Sequence, residues 1–253
     1  MPIVDRISKY GKFLPSALIL LTAFFGSRSG AQRFGSFYLA VAVSVLLILA
    51  MQFRLLRKTS KSINDLLWLV MPCLFLVGTF GAVASTSAGL GLFFAVLSSY
   101  LFYFYHRHFP SPIPLYIEQT FSLYGAFLLS VFLWGLNFFF TPAWWIMLLF
   151  GFISFFPFFW QAFYKMSRSG SAALFDALIV ALFVVEMIWA MLYWPVYFFT
   201  VAVVMFGAIY LVYMLAFQYF KNRLNRRKIY FQVMVVSFVV LIALSTASWQ
   251  PIK

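Results

Sequence analysis

Two carboxylates lie within an apolar stretch at residues 172–194, where ionisable side chains are rare. Glu186 sits inside VALFVVEMIWAMLYW, and Asp176 comes ten residues earlier. A stretch of this length can cross a bilayer, and a carboxylate within it costs a few kcal/mol unless it is paired, neutralised or used. A proton or cation relay, or contact with a cationic ligand, is the chemistry that such residues support.

Helical spacing predicts where these carboxylates lie. At 1.5 Å per residue Glu186 is about 15 Å deeper than Asp176, and about 80° separates them in projection. We therefore expect both on one face toward the bundle interior. Glu186 has no basic partner in another apolar stretch, so it is expected to be protonated, held by a polar side chain such as Asn137. A structural role as interhelical glue and a functional role both remain open.

The composition predicts the fold class. Hydrophobic residues make up 65% of the 253 residues and charged residues 9%, which no water-soluble fold could accommodate. The chain contains nine apolar stretches long enough, or nearly so, to span a bilayer as helices: 13–25, 34–53, 66–84, 89–105, 119–139, 142–164, 172–194, 195–220 and 229–248. The sequence predicts an all-α, polytopic transmembrane helical bundle of about nine spans, with residues 1–253 as one integral membrane domain and no soluble domain.

The first stretch has a second interpretation. Lys9 and Lys12 precede an apolar centre of 13 residues, and Ser29-Gly30-Ala31 resembles a cleavage site. If residues 1–31 are a removed signal, or if the first stretch does not span, eight spans remain.

The basic residues predict the topology. With nine spans and the N-terminus inside, fifteen of the 18 Lys and Arg residues fall on the inner side. This bias predicts a multi-pass membrane protein with its N-terminus inside and its C-terminus outside. It also accounts for the net charge of +13 without nucleic-acid binding. The predicted contacts with anionic lipid on the inner face are Arg54, Arg57, Lys58, Lys61, Lys221, Arg223, Arg226, Arg227 and Lys228.

Prolines and histidines provide the remaining candidates. Pro72 and Pro157 each interrupt an apolar stretch, and paired interruptions are typical of some transporters, although ordinary helix packing explains them more simply. His106 and His108 are weak metal candidates that fit an interfacial anchor better. We find no motif for a catalytic residue and no cofactor signature.

The C-terminal third carries a resemblance. EMIWAMLYWP at 186–195, a basic NRLNRR loop and a final span ending in TASWQ resemble uncharacterised polytopic membrane proteins of bacteria with reduced genomes. The resemblance covers roughly 70 residues. It implies a location in the bacterial cytoplasmic (inner) membrane and transfers no mechanism.

Three functions remain open from the sequence. The first is a small permease-like or membrane-embedded binding protein with a cavity near Glu186 and Asp176. The second is a structural or assembly subunit that contacts a membrane-protein partner or another copy of itself. An enzyme acting on a lipid-linked substrate ranks third, because no nucleophile or metal constellation is visible.

Overall fold

The described part of the chain is helical. The computed structural model describes residues 15–21, 43, 46, 48, 50, 67–108, 115–166, 170–221 and 225–247. Residues 15–21 are helical, and seven longer helices follow among these residues: α1 (Leu67–Ser85), α2 (Ala88–His108), α3 (Leu115–Phe140), α4 (Trp144–Met166), α5 (Gly170–Met191), α6 (Phe198–Phe220) and α7 (Arg226–Ser245).

Six of these helices are long and apolar enough to cross a membrane, namely α2 to α7. The apolar part of α1, Val70–Ser85, is shorter. Because unpaired backbone groups are costly in hydrocarbon, a helix is the expected form of such segments. The all-helical membrane-protein prediction is confirmed in this coarse form. The two predicted spans at 13–25 and 34–53 lie largely outside the described residues, so the count of nine stays a prediction.

The chain divides into two compact units, Met1–Leu128 and Leu129–Lys253. Aromatic stacking holds the described part of the first unit together. The ring of Phe121 lies between Phe75, at a centroid distance of 4.1 Å, and Tyr105, at 4.2 Å. Gly125, one turn after Phe121, permits this approach, because a Cβ there would meet the Phe75 ring at 3.3 Å. α1, α2 and α3 thus meet at one buried ring, Phe121.

Polar side chains add a second link among the same helices. The hydroxyl of Thr79 in α1 donates to that of Ser98 in α2 at 3.2 Å. Tyr124 of α3 donates to the backbone carbonyl of Phe94 at 3.3 Å. Such interhelical bonds contribute about 0.6 kcal/mol each on average in a membrane. They add directional contacts to packing that is otherwise apolar.

The two candidate prolines lie inside unbroken helices. α1 continues through Pro72, which is buried, and α4 continues through Pro157, which is half-buried. Neither helix therefore shows the separated half-helices that form a transporter's midplane site. A role for these prolines in transport stays a prediction.

In the second unit, α4 and α5 form the most extensively packed pair. α5 buries a stripe of alanines at four-residue spacing, Ala173, Ala177 and Ala181. At the other end of the pair, a Cβ on Gly151 would clash with the Ile188 side chain. Small residues let two helices approach closely, which is what favours association where no hydrophobic effect acts between them.

α6 and α7 complete the second unit. Trp134 of α3 is buried, and its indole Nε1 donates to the Met205 sulfur of α6 at 3.1 Å. α7 packs on α6 but buries none of its own residues. The Gln218 side chain donates to that of Gln232 at 2.8 Å, which joins α6 to α7 by one strong polar contact. α7 is therefore the most exposed helix of this unit.

Candidate functional site

A cavity of about 410 Å³ opens among α4, α5 and α6, near the ends that carry the basic loops. It is a shallow, largely open groove rather than an enclosed chamber. This volume is within the range of small-molecule binding sites. The residues that line it are Phe163 from α4, Asp176, Ile179 and Val180 from α5, and Leu215, Ala216, Tyr219 and Phe220 from α6.

Helical periodicity positions the lining residues. Asp176, Ile179 and Val180 are spaced i, i+3 and i+4, so they share one face of α5 beside its buried alanine stripe. On α6, the lining positions 215, 216, 219 and 220 likewise share one face. The small side chain of Ala216 leaves open the space that larger side chains would fill. The cavity is thus a place where two helix faces meet without filling the space between them.

Among the described residues that line the cavity, Asp176 is the only charged one. Its side chain is half-buried, and no hydrogen bond or ion pair reaches it from any described residue. It lies six residues into α5, about 9 Å from the start of the helix. An unpartnered carboxylate in an apolar cavity attracts a cation or a hydrogen-bond donor.

Three aromatic side chains line the same cavity as Asp176. Phe163 and Phe220 lie with ring centroids 5.7 Å apart, and Tyr219 contacts Phe220 at the same centroid distance. Phe163 is buried, whereas Tyr219 is 65% exposed. Aromatic faces attract organic cations, and the Tyr219 hydroxyl suits the boundary between apolar and polar surroundings.

The structure corrects the predicted position of Glu186. Its side chain is exposed and does not line the cavity. α5 ends at Met191 rather than at 194, so Glu186 lies only five residues from the end of the helix. The 80° between the two carboxylates is enough to place Asp176 at the cavity and Glu186 on the outer surface. The two residues therefore do not form one site.

Other candidates lie elsewhere. Asn137 is half-buried one turn before the end of α3, and its backbone carbonyl accepts from Thr141 N–H at 3.1 Å. His106 is buried and stacks on Phe102, so it is not the interfacial anchor expected from its position. His108 is the last residue of α2. No group of three metal-ligating side chains occurs among the residues that the structure describes.

Part of the predicted lipid-contacting set can be placed. The exposed members are Lys221, Arg226, Arg227 and Lys228. Arg54, Arg57, Lys58, Lys61 and Arg223 lie outside the described residues. Lys221 directly follows Phe220, so a basic side chain adjoins the cavity in sequence.

Sequence reasoning missed Gln161. This residue of α4 is 1% exposed, and neither polar atom of its side-chain amide has a hydrogen-bond partner among the described residues. Gly151 adjoins Ile188 across the α4–α5 pair, so residue 161 is level with residue 178 in this antiparallel arrangement. An amide without a partner thus lies at about the height of Asp176. The signal was present in the sequence, because Gln161 is the one amide side chain in the predicted span 142–164.

Comparison with known proteins gives one match. A family model described as "Protein of unknown function (DUF5656)" matches residues 146–246. The predicted resemblance of the C-terminal part to an uncharacterised family is confirmed. No curated protein and no solved structure matches the chain. The matched segment contains the eight described residues that line the cavity.

Proposed function

We propose that this chain is a membrane-embedded binding protein whose cavity at Asp176 takes an amphiphilic ligand with a cationic group. The observation that carries this proposal is the half-buried carboxylate of Asp176, without a partner among the described residues, in an otherwise apolar cavity. Apolar walls favour an alkyl chain, and the carboxylate favours the cation at its end. A permease-like role would add movement of the same ligand across the bilayer.

Asp176→Asn tests the proposal. In nanodiscs, the variant is expected to bind a fluorescent long-chain amine about 10- to 100-fold more weakly, because hydrogen bonds to a charged group contribute about 1.5 to 3 kcal/mol. Glu186→Gln is the matched control, since it removes a carboxylate from the same helix outside the cavity. Equal affinities for Asp176→Asn and the unaltered protein would contradict the proposal, as would an equal loss in Glu186→Gln.

We further propose that the protein lies in the bacterial inner membrane with its N-terminus inside and its C-terminus outside. The location is supported by the resemblance of the C-terminal part, and the orientation by the 15 to 3 distribution of basic residues. α7 (Arg226–Ser245) begins within segment 221–228 and is the last helix among the described residues. Reporter fusions in that segment and after Lys253 are therefore expected to report opposite sides of the membrane, with the segment inside. Fusions that report the same side would contradict this topology.

A second candidate function is assembly with another membrane protein, and the exposure of Glu186 favours it. Glu186 lies on an apolar surface among Leu182, Phe183 and Trp189, all of them exposed. No Lys or Arg falls within any predicted span, so a second copy of the chain could not supply a cation at that depth. The partner that fits is a helix of a different protein with a Lys or Arg within its span.

Glu186→Gln also tests this candidate. Affinity-purified protein from native membranes is expected to lose a stoichiometric partner in this variant, while Asp176→Asn retains it. The partner's spanning helix is expected to contain a basic residue. A stoichiometric partner retained by Glu186→Gln, or its absence from the unaltered protein, would contradict the candidate.

A further inference from the structure

Two opposite charges occur at this end of the unit, one lining the cavity and the other one residue beyond its lining in the sequence, and they do not neutralise each other. Asp176 lines it, and Lys221 follows the lining residue Phe220 at the end of α6. Lys221 is exposed, and the two side chains do not form an ion pair. A carboxylate and an ammonium are therefore both available to one ligand at this end of the unit.

This charge arrangement disfavours ligands whose headgroup carries only positive or only negative charge. A purely anionic headgroup would satisfy Lys221 but would leave Asp176 unpaired and partly desolvated, which is costly. A purely cationic headgroup would satisfy Asp176 but would also approach Lys221 and the exposed basic residues at 226–228. A headgroup that carries both charges pairs with both.

The walls and rings fit the rest of such a ligand. Ile179, Val180 and Leu215 provide an apolar surface for an acyl chain. Phe220 and Tyr219 lie between this surface and Lys221 along α6, at the height where aromatic side chains meet lipid headgroups. The order along α6 is thus apolar wall, aromatic rings and cation, which matches a lipid with its acyl chain against the wall and its headgroup at the end of the helix.

We infer that the cavity at Asp176 recognises a zwitterionic phospholipid, with the headgroup ammonium at Asp176 and the phosphate at Lys221. This inference rests on the proposed function and specifies its ligand. A primary ammonium donates hydrogen bonds to the carboxylate, whereas a quaternary ammonium contacts the aromatic faces. Phosphatidylethanolamine and phosphatidylcholine share the charge pattern, so both belong to the inferred class and phosphatidylglycerol does not.

The experiment measures lipid retention. The purified protein is equilibrated with an equimolar mixture of phosphatidylethanolamine, phosphatidylcholine and phosphatidylglycerol, washed in detergent and examined by native mass spectrometry. The expected result is about one retained zwitterionic lipid for each chain, in at least tenfold excess over phosphatidylglycerol, which corresponds to about 1.4 kcal/mol. The share of each zwitterionic lipid shows which ammonium is preferred.

Variants distinguish this inference from the proposed function. Lys221→Gln is expected to lower zwitterionic-lipid retention about tenfold while the long-chain amine binds at least as tightly as to the unaltered protein, because a like charge has been removed. Lys228→Gln is the matched control, because it removes an exposed cation of the same basic segment away from the cavity. Melting temperature and elution volume identify any variant that fails to fold.

Two outcomes would overturn the inference. If the long-chain amine binds at Asp176 but phosphatidylglycerol is retained equally well, the inference fails and the proposed function stands. If neither the amine nor any phospholipid depends on Asp176, both fail. Equal lipid retention in Lys221→Gln, Lys228→Gln and the unaltered protein would also contradict the role of Lys221.

Discussion

Ala216→Trp is expected to weaken binding of a long-chain amine by roughly 5- to 150-fold. Ala216 lines the cavity, and an indole there would occupy space between α5 and α6 next to Asp176. The ligand could then enter only by displacing packed side chains, and overpacking of this kind costs about 1 to 3 kcal/mol. Folding is expected to persist, because the ring enters a cavity that is already open.

The control for this variant is Ala190→Trp. Ala190 belongs to α5 but is exposed and does not line the cavity. We expect its amine affinity to match that of the unaltered protein in the same nanodiscs. If Ala216→Trp binds the amine as tightly as Ala190→Trp does, the ligand does not occupy this cavity.

Phe121→Ala is expected to lower the free energy of unfolding by about 3 to 5 kcal/mol. Phe121 is 1% exposed and stacks on both Phe75 and Tyr105, so its removal leaves a void where three helices meet. Van der Waals contact is the main source of helix association in a membrane, and surrounding side chains restore only part of what is lost.

Unfolding by sodium dodecyl sulfate in mixed micelles measures this effect. The control is Phe93→Ala, because Phe93 is 58% exposed. A change of at most about 0.5 kcal/mol is expected there, as for most surface substitutions. A loss for Phe121→Ala no greater than that for Phe93→Ala would show that the aromatic stack does not stabilise the first unit.

The spans of the described region were predictable because their signal is local. The sequence predicts a span at 119–139, and the structure has a helix at Leu115–Phe140. It likewise predicts a span at 195–220, where the structure has a helix at Phe198–Phe220. Length and hydropathy are sufficient for this, since apolar backbone in a bilayer has to form its hydrogen bonds within the segment. Neighbouring helices are not needed to predict such a segment.

The site was predictable only in part. Asp176 stood out as a carboxylate among apolar residues, but Ala216 and Tyr219, which line the cavity with it, belong to another helix. These spans are apolar on nearly every face, so hydrophobic periodicity does not indicate which face is buried or which helix lies next to it. Because periodicity does not indicate the buried face, the sequence predicts Glu186 in the bundle interior. The structure places its side chain on the surface.

Photolabelling with a long-chain amine that carries a diazirine in its alkyl chain tests the central claim most directly. Peptide mass spectrometry of the labelled protein is expected to locate the label on the lining residues Ile179, Leu215 and Tyr219. Excess unlabelled amine and Asp176→Asn should both abolish it. Label spread over exposed apolar residues of α7, such as Phe231 and Phe238, and unaffected by competitor or by Asp176→Asn, would contradict a binding site at this cavity.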